Sequence, residues 1–415
     1  MAQVFPFQPY RYTQKAGVPL ESLVTQPYDK ISPAMQERYL ALSPYNLVRI
    51  ILGKPGPEDH STNNIYTRGA AHLRDWIAGG ILARDPEPSF YAYFQDFTDP
   101  DTGHELTRKG FIGLGAVEEY SAGVVHRHEQ TLSGPKKDRL EVLRHTHAHF
   151  GQIFMLYADR AGSIDRILDQ AAAAGPLSTV TDDYGARHRL WRIWDPATIA
   201  RIQQLMADNK LVIADGHHRY ETALNFSQES SLPGARRVMM TFVNMHSPGL
   251  LILATHRLVR NLDGFDAAAM PAKLAALGSI TEVAADQIKA RLAARLTGKI
   301  LMGIAIPGQD RIHLLEADRG AGDLDVRFLH ERILCGVLGI SEEAVREEKY
   351  LRYVRGIDAA LAEVTNGGAQ VGFLLQPTRI EEVAEVSFSG GVMPQKSTDF
   401  YPKLVSGITI YKVGV

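Results

Sequence analysis

Apolar and polar positions alternate along this chain in short blocks, switching between a period of two and a period of three to four. Residues 90–97 show strand alternation, Asp99-Pro100-Asp101-Thr102-Gly103 forms a turn, and residues 108–117 return, which predicts a hairpin. Helices are expected at 34–42, where Ser32 caps and Pro33 takes the first position, and at 64–78, closed by Gly79-Gly80. The apolar run 47–52 reads as a buried strand. Between 136 and 150, Leu140, Leu143, His147 and Phe150 recur at three and four, the spacing of one helical face. Strands at 153–157, 189–194 and 211–214 then alternate with helices at 163–174, 196–209 and 219–226.

After Arg260 the texture changes. Ala-rich helices are expected at 265–277 and 286–296 with a strand at 300–306 between polar stretches, and the tail, through 372–375 and 383–388, reads as strand and loop. Alternating strands and helices predict an α/β (α+β) fold with a mixed sheet. A length of 415 residues exceeds what one core usually serves. The expected organisation is an N-terminal lobe at 1–118, a central catalytic lobe at 119–262, an Ala-rich peripheral lobe at 263–368, and a segment 369–415 that returns to the active site.

With 45% hydrophobic and 22% charged residues the chain has a core to bury, which excludes disorder as its main state. Forty-five basic against forty-seven acidic side chains leave a net charge of −2, without the excess that nucleic-acid binding exploits. A lone cysteine, Cys335, excludes a disulfide framework. No apolar run approaches the length of a membrane span, and the first residues lack a basic-then-apolar signal pattern, so a cytoplasmic protein is expected. The oligomeric state stays open, a homo-oligomer included.

Three clusters could carry chemistry. In Ile213-Ala214-Asp215-Gly216-His217-His218-Arg219 a buried strand meets a glycine turn and then a helix. Such a junction aims backbone N–H groups at one spot, while histidine and arginine add charged donors, as an anion cradle requires. Asp215 could hold a histidine tautomer or a metal ion; the plainer reading is a capping aspartate beside surface histidines. The second cluster is His126-Arg127-His128-Glu129 with Lys136, Lys137, Asp138 and Arg139, followed by His145, His147 and His149. Five of the fifteen histidines lie between His126 and His149. Phosphate chemistry would explain this, with Arg127, Lys136 and Arg139 neutralising charge and Glu129 as a base or magnesium ligand. So would a transition metal, with His126 and His128 sharing a strand face and His145 and His149 four apart on a helix.

The third cluster runs from Gly390 to Lys403. It places Gly390, Lys396 and Ser397 as a phosphate loop would, but Gln395 stands where the second glycine belongs and Pro394 opposes the helix. Lys396 with the Ser397 and Thr398 hydroxyls still makes an anion-binding loop conceivable, a Pro/Ser turn being the alternative. Near the N-terminus, Tyr28 and Asp29 after Pro27, and Asn46 after Pro44-Tyr45, sit in polar-aromatic loops that could line a cleft or simply turn the chain.

Taken together, Pro27-Tyr28-Asp29, Asn46, Arg127-His128-Glu129 with Asp138-Arg139, Asp215 to Ala223, and Met393-Pro394-Gln395-Lys396-Ser397-Thr398 resemble a widespread bacterial and archaeal family catalogued as a domain of unknown function. The Asp215 to Arg219 box is also similar to the Asp-Gly-His-His-Arg phosphate-binding motif of free serine kinases with the ParB/sulfiredoxin-like fold. That resemblance implies a ParB/sulfiredoxin-like element in the central lobe, nucleotide phosphates at the box, and a separate glutamate as base.

The expected function is therefore a small-molecule kinase, a phosphotransferase that uses ATP or ADP with Mg2+ and has L-serine as preferred acceptor. Glu129, Asp215 and His217 are the expected catalytic residues, with Asp215 the magnesium ligand. Gly216, His218, Arg219, Lys396, Ser397 and Thr398 would hold phosphates or nucleotide; Tyr28, Asp29, Asn46, Arg127, His128, Lys136 and Arg139 would face the acceptor. Two alternatives remain: a His-rich metallohydrolase using His126, His128, His217, His218 and Asp215, and a nucleotide-binding regulator of the ParB-like type.

Overall fold

Strands that are apolar on both faces need cover on both sides, and the segment Phe90–Thr98, buried at nearly every position, is of this kind. In the computed structural model, which describes residues 1–129, 134–320 and 322–414, it pairs antiparallel with Glu105–Ala116, so the hairpin forms as the alternation predicts. The contacts divide the chain into two units, one of residues 1–127, 131–251 and 402–415, the other of residues 128–130 and 252–401.

The first unit is built, among the described residues, on a nine-stranded mixed sheet. Its order is Val125–His126, Leu211–Asp215, Ile153–Tyr157, Arg237–Asn244, Glu105–Ala116, Phe90–Thr98, Arg187–Ile193 and Ser178–Thr181, with Val4–Phe5 added on Glu105–Ala116. The pairs Val125–His126 with Leu211–Asp215 and Ile153–Tyr157 with Arg237–Asn244 are parallel; the other pairs along this order are antiparallel. Helices Ser163–Ala171, Pro196–Ala207 and His217–Glu229 cover it, contributing Ile164, Leu168, Ile202, Met206, Tyr220 and Ala223 to the core that holds Phe111, Met155 and Phe242. Fully burying one such side chain contributes roughly 1.5–3 kcal/mol. A separate cluster of Leu47, Ile50, Leu73, Trp76, Val142 and Phe150 packs the N-terminal helices.

The second unit carries a six-stranded antiparallel sheet in the order Ser279–Ala284, Arg311–Asp318, Lys299–Ala305, Val371–Leu375, Thr255–Val259 and Leu351–Arg355. Neighbouring residues face opposite ways. Val259, Met302, Leu315 and Phe373 serve one core, and Leu258, Leu301, Leu314 and Leu374 the other.

Several expected elements differ. The run 47–52 is a helix at Val48–Ile51, because the Asn46 side chain accepts the Val48 N–H at 2.9 Å and starts a helical turn that a short apolar run cannot forbid. The helix expected to reach Phe150 is Gly134–Thr146; His147 turns left-handed at φ 48° and Ala148–His149 pairs with Tyr411–Lys412. His145 and His149 therefore do not share a helix, and His128 lies beyond the strand that ends at His126. The Ala-rich stretches form only Met270–Leu274 and Ile288–Ala293, while residues 383–388, read as strand and loop, belong to the helix Ile380–Phe388, whose capping residue Arg379 donates its backbone N–H to Glu382.

His256 lies 1% exposed in the second unit, and its Nδ1 accepts the Leu375 N–H at 3.2 Å. Burial, with the Arg257 charge beside it, lowers its pKa to about 4. The unfolded chain thus binds this proton more strongly between about pH 4 and 6.5, so the contribution is complete above 6.5 and is lost as pH falls. Urea unfolding at pH 7 and pH 5 is expected to show about 2 kcal/mol less stability at pH 5 from this group, a difference that His256→Gln removes.

Candidate functional site

The strand Leu211–Asp215 runs between Val125–His126 and Ile153–Tyr157, and its ladder with the latter shifts register between Ile213 and Asp215. A bulge of this sort re-aims a side chain at a strand end. Gly216 then takes φ +94°, and helix His217–Glu229 begins. A Cβ at Gly216 would lie 2.9 Å from Arg219 Nη2, so glycine is what lets the guanidinium fold back over the turn.

Asp215 is gripped by two cations. Its Oδ2 accepts from Arg219 Nη2 at 2.6 Å and its Oδ1 from Lys403 Nζ at 3.0 Å, with the three side chains 22%, 15% and 10% exposed. Burial alone would raise the Asp215 carboxyl, but Lys403, Arg219 and, less strongly, Lys30 carry it well below the usual range, so it stays ionised. Arg219 also donates from Nη1 to the Gln152 carbonyl at 2.6 Å. The backbone of Lys403 is fixed in turn: its carbonyl accepts from Gln95 Nε2 at 3.0 Å, and the buried Arg108 donates to Gln95 Oε1 and to the Pro402 carbonyl.

Beside Arg219 opens a narrow cavity of about 70 Å³ whose lining includes Tyr28, Arg139, Phe150, Gly151 and Thr222. The Arg139 guanidinium sits 4.0 Å above the Tyr28 ring and pairs with Asp138, which also accepts from Tyr66 Oη at 3.0 Å. Burial and Asp29 raise the Tyr28 hydroxyl, while Arg139 and Arg219 pull it back. Arg127 and Lys136 gather on another carboxylate, Glu221, one turn along the same helix: Lys136 pairs with it directly and Arg127 Nη1 stands 4.0 Å away. His217 is buried at 8% exposure in the first turn, next to His218. Asn46 is occupied otherwise, bridging the Ser22 carbonyl and the Val48 N–H.

His128, Glu129, Lys396, Ser397 and Thr398 form a group within the second unit, while Asp29 lies in the first. Glu129 pairs with Met393 as a short parallel bridge, and its Oε1 accepts the Lys396 N–H at 3.0 Å. His128, fully buried, has Nε2 2.7 Å from Thr398 Oγ1, and Ser397 Oγ donates to the Pro394 carbonyl at 2.5 Å. Lys396 itself is left-handed at φ 58°. Arg257 holds this turn, donating to the Gln395 and Lys396 carbonyls at 3.2 and 2.9 Å.

Lys403 and Glu221 fall inside the motifs of the sequence reading but were given no role there; Arg108 and Arg257 lie inside strands where nothing local marks them. Among the described residues no three His, Cys, Asp or Glu side chains gather as a metal site. His126 Nε2 lies 3.1 Å from the Gly123 carbonyl and His145 Nδ1 2.8 Å from the Glu141 carbonyl. Among the described residues no helix is long and apolar enough to cross a membrane.

The family model described as "Protein of unknown function (DUF1015)" matches residues 4–331. The chain belongs to that family. No curated protein matches it in sequence. Of solved structures, a conserved hypothetical protein from Pyrococcus furiosus aligns at 14% identity and TM-score 0.35, covering 68% of this chain and 91% of the other. A free serine kinase in complex with AMP aligns at 13% and 0.36, over 68% and 88%. SbnI from Staphylococcus aureus, truncated at its C-terminus, aligns at 10% and 0.33, over 70% and 84%.

Proposed function

We propose that this DUF1015 member is a phosphotransferase that takes phosphate from ATP or ADP to the hydroxyl of a small molecule, with L-serine the preferred acceptor. The observation that carries the reading is Asp215 set between Arg219 and Lys403 on a glycine turn that opens a helix. Arg219 and Lys403 converge on that one carboxylate, Lys30 lies close enough to act on it, and the helix N-terminus adds partial positive charge, a setting suited to an oligophosphate. Phosphoryl transfer asks a protein chiefly to position groups and to neutralise charge, and Arg219, Lys403, His218 and the Gly216 backbone are suited to both.

In this reading Asp215 keeps the two cations in place until phosphate takes them over. The motif resemblance supplies phosphate binding at the box and a separate glutamate as base; the local clusters supply the candidates for the other roles, with His217 beside Asp215, Glu129 as base, Lys396, Ser397 and Thr398 as nucleotide contacts, and Tyr28, Asp29, Arg127, His128, Lys136 and Arg139 toward the acceptor. Magnesium is the ion that usually neutralises such phosphates. Both Asp215 oxygens are already bonded to cations, so the arrangement as it stands does not fit an ion at that carboxylate, and no step above depends on one.

Calorimetric titration with ATP and ADP, with and without magnesium, followed by a labelled-nucleotide assay for O-phosphoserine, tests the proposal. Heat with a nucleotide and label on serine are expected. Silence with both nucleotides ends the reading; binding without transfer to serine or other hydroxyl compounds moves it to a nucleotide-dependent regulator.

A further inference from the structure

The cavity of about 70 Å³ beside Arg219 has a composition of its own. One part of its wall is apolar, with Ile51, Val142, Leu143, Phe150 and Val238. Two guanidiniums also line it, and each is paired with a carboxylate: Arg139 with Asp138 and Arg219 with Asp215. His149 adds no charge near neutral pH, because burial lowers its pKa to about 4. Nothing in this wall singles out an anion, and its apolar part disfavours any charged group.

The wall does call for one hydrogen bond. Thr222 lines the cavity from the helix His217–Glu229, is 4% exposed, and its buried Oγ1 has no hydrogen-bond partner. A buried helical hydroxyl can bond back to the carbonyl one turn earlier, as Thr146 does to Val142 at 2.6 Å and Ser387 to Val383 at 2.7 Å. Thr222 makes no such bond, and a buried hydroxyl left alone is destabilising unless a ligand or water completes it. Gly151 brings the reactive side close: a Cβ there would lie 3.1 Å from both Arg219 Nη1 and Ser406 Oγ, so only glycine lets these two border the cavity together.

We propose that this cavity is the subsite for the hydroxyl-bearing end of the acceptor, a short uncharged aliphatic alcohol group, and that Thr222 is the residue that recognises its oxygen. The inference rests on the phosphotransferase reading, which gives the reason for a hydroxyl beside Arg219, and adds which part of the acceptor enters and what selects it. A water needs roughly 10–15 Å³ of such space, so the cavity admits about five atoms of that size, enough for a hydroxymethyl or hydroxyethyl group and too few for a sugar or phenol ring. An amino-acid acceptor keeps its ammonium and carboxylate outside. Thr222 donates to the acceptor oxygen and so leaves that oxygen's own proton for the base; the oxygen bonds to the terminal phosphorus as the bridging P–O bond of the nucleotide breaks.

The test is calorimetric titration of the full chain with L-serine, L-threonine and glycerate, each beside its counterpart without that hydroxyl: L-alanine, L-2-aminobutyrate and lactate. At least one hydroxyl compound is expected to bind at least about tenfold more tightly than its counterpart, and Thr222→Val to bring that ratio to about one while Thr222→Ser keeps it. The valine variant is expected to melt no lower than the parent, because the hydroxyl it loses has no partner, and Thr222→Ala replaces it should valine not be tolerated. A merely structural role for Thr222 would leave the ratio unmoved. ATP titrations of the same proteins separate this inference from the reading beneath it. Heat with ATP but no preference for any hydroxyl compound, or a preference that Thr222→Val leaves intact, overturns the subsite and spares the phosphotransferase; a Thr222-dependent preference without ATP heat ends the phosphotransferase reading and, with it, the cavity's role toward an acceptor.

Discussion

Arg219→Ala is expected to weaken nucleotide binding at least about 100-fold and to lower unfolding stability by about 2 kcal/mol, from the loss of two charge-assisted hydrogen bonds and of a partly buried ion-pair partner. The two effects have different origins. Stability falls because Asp215 keeps Lys403 but loses its bond from Arg219 at 2.6 Å, and because the Gln152 carbonyl loses a donor at the same distance. Exposures of 15% and 22% for the paired side chains keep the loss below that of a fully buried pair. Affinity falls because a guanidinium can hold two phosphate oxygens at once. Arg219→Lys separates the two: a lysine restores charge beside Asp215 and most of the stability, yet lacks the planar fork, so nucleotide affinity should remain about tenfold below the parent. Calorimetry and urea unfolding on the three proteins read both quantities. Parental affinity in both variants would remove the cradle from the proposed function.

How much of this was legible beforehand depends on how local each feature is. The Asp215 box was readable because strand, glycine and helix follow one another within a few residues, and the φ of +94° at Gly216 is what that order requires. The hairpin of Phe90–Thr98 with Glu105–Ala116 was readable for the same reason. Short apolar runs were not. Residues 47–52 fit a strand or a helix equally in pattern, and one hydrogen bond from Asn46 decides between them. The Ala-rich stretches promised longer helices than form, since alanine favours helix without specifying what it packs against. Histidine spacing misled through His147, whose left-handed backbone ends the helix that would have aligned His145 with His149. Lys403 illustrates the other limit: its place beside Asp215 is set by Gln95, 308 residues earlier, and by Arg108 holding Pro402 across 294, and no local window of sequence contains both ends of that connection.

Arg108→Met is expected to cost about 3 kcal/mol of stability and about tenfold in nucleotide affinity, although Arg108 is only 1% exposed. Its guanidinium lies 4.6 Å over the Phe154 ring and donates from Nε at 3.0 Å and from Nη2 at 2.5 Å to Gln95 Oε1, and to the Pro402 carbonyl. Burial pulls its pKa down to about 9, against the opposing pull of Tyr93 and Asp215. Methionine would fill much of the same volume while depriving two buried acceptors of this donor, each worth about 1–3 kcal/mol. Arg108 is thus a positioning residue: by holding Pro402 it holds Lys403, and through Lys403 it reaches Asp215. A residue that acts only through another leaves a signature in the double variant. Lys403→Met alone should weaken nucleotide binding at least as much as Arg108→Met, and adding Arg108→Met to it should change affinity no further while still lowering stability. If the two affinity losses instead add, Arg108 reaches the proposed phosphate site by a route other than Lys403, most directly through its charge on Asp215, and Arg108→Lys, which keeps that charge but not the fork to Gln95 and Pro402, would then restore binding.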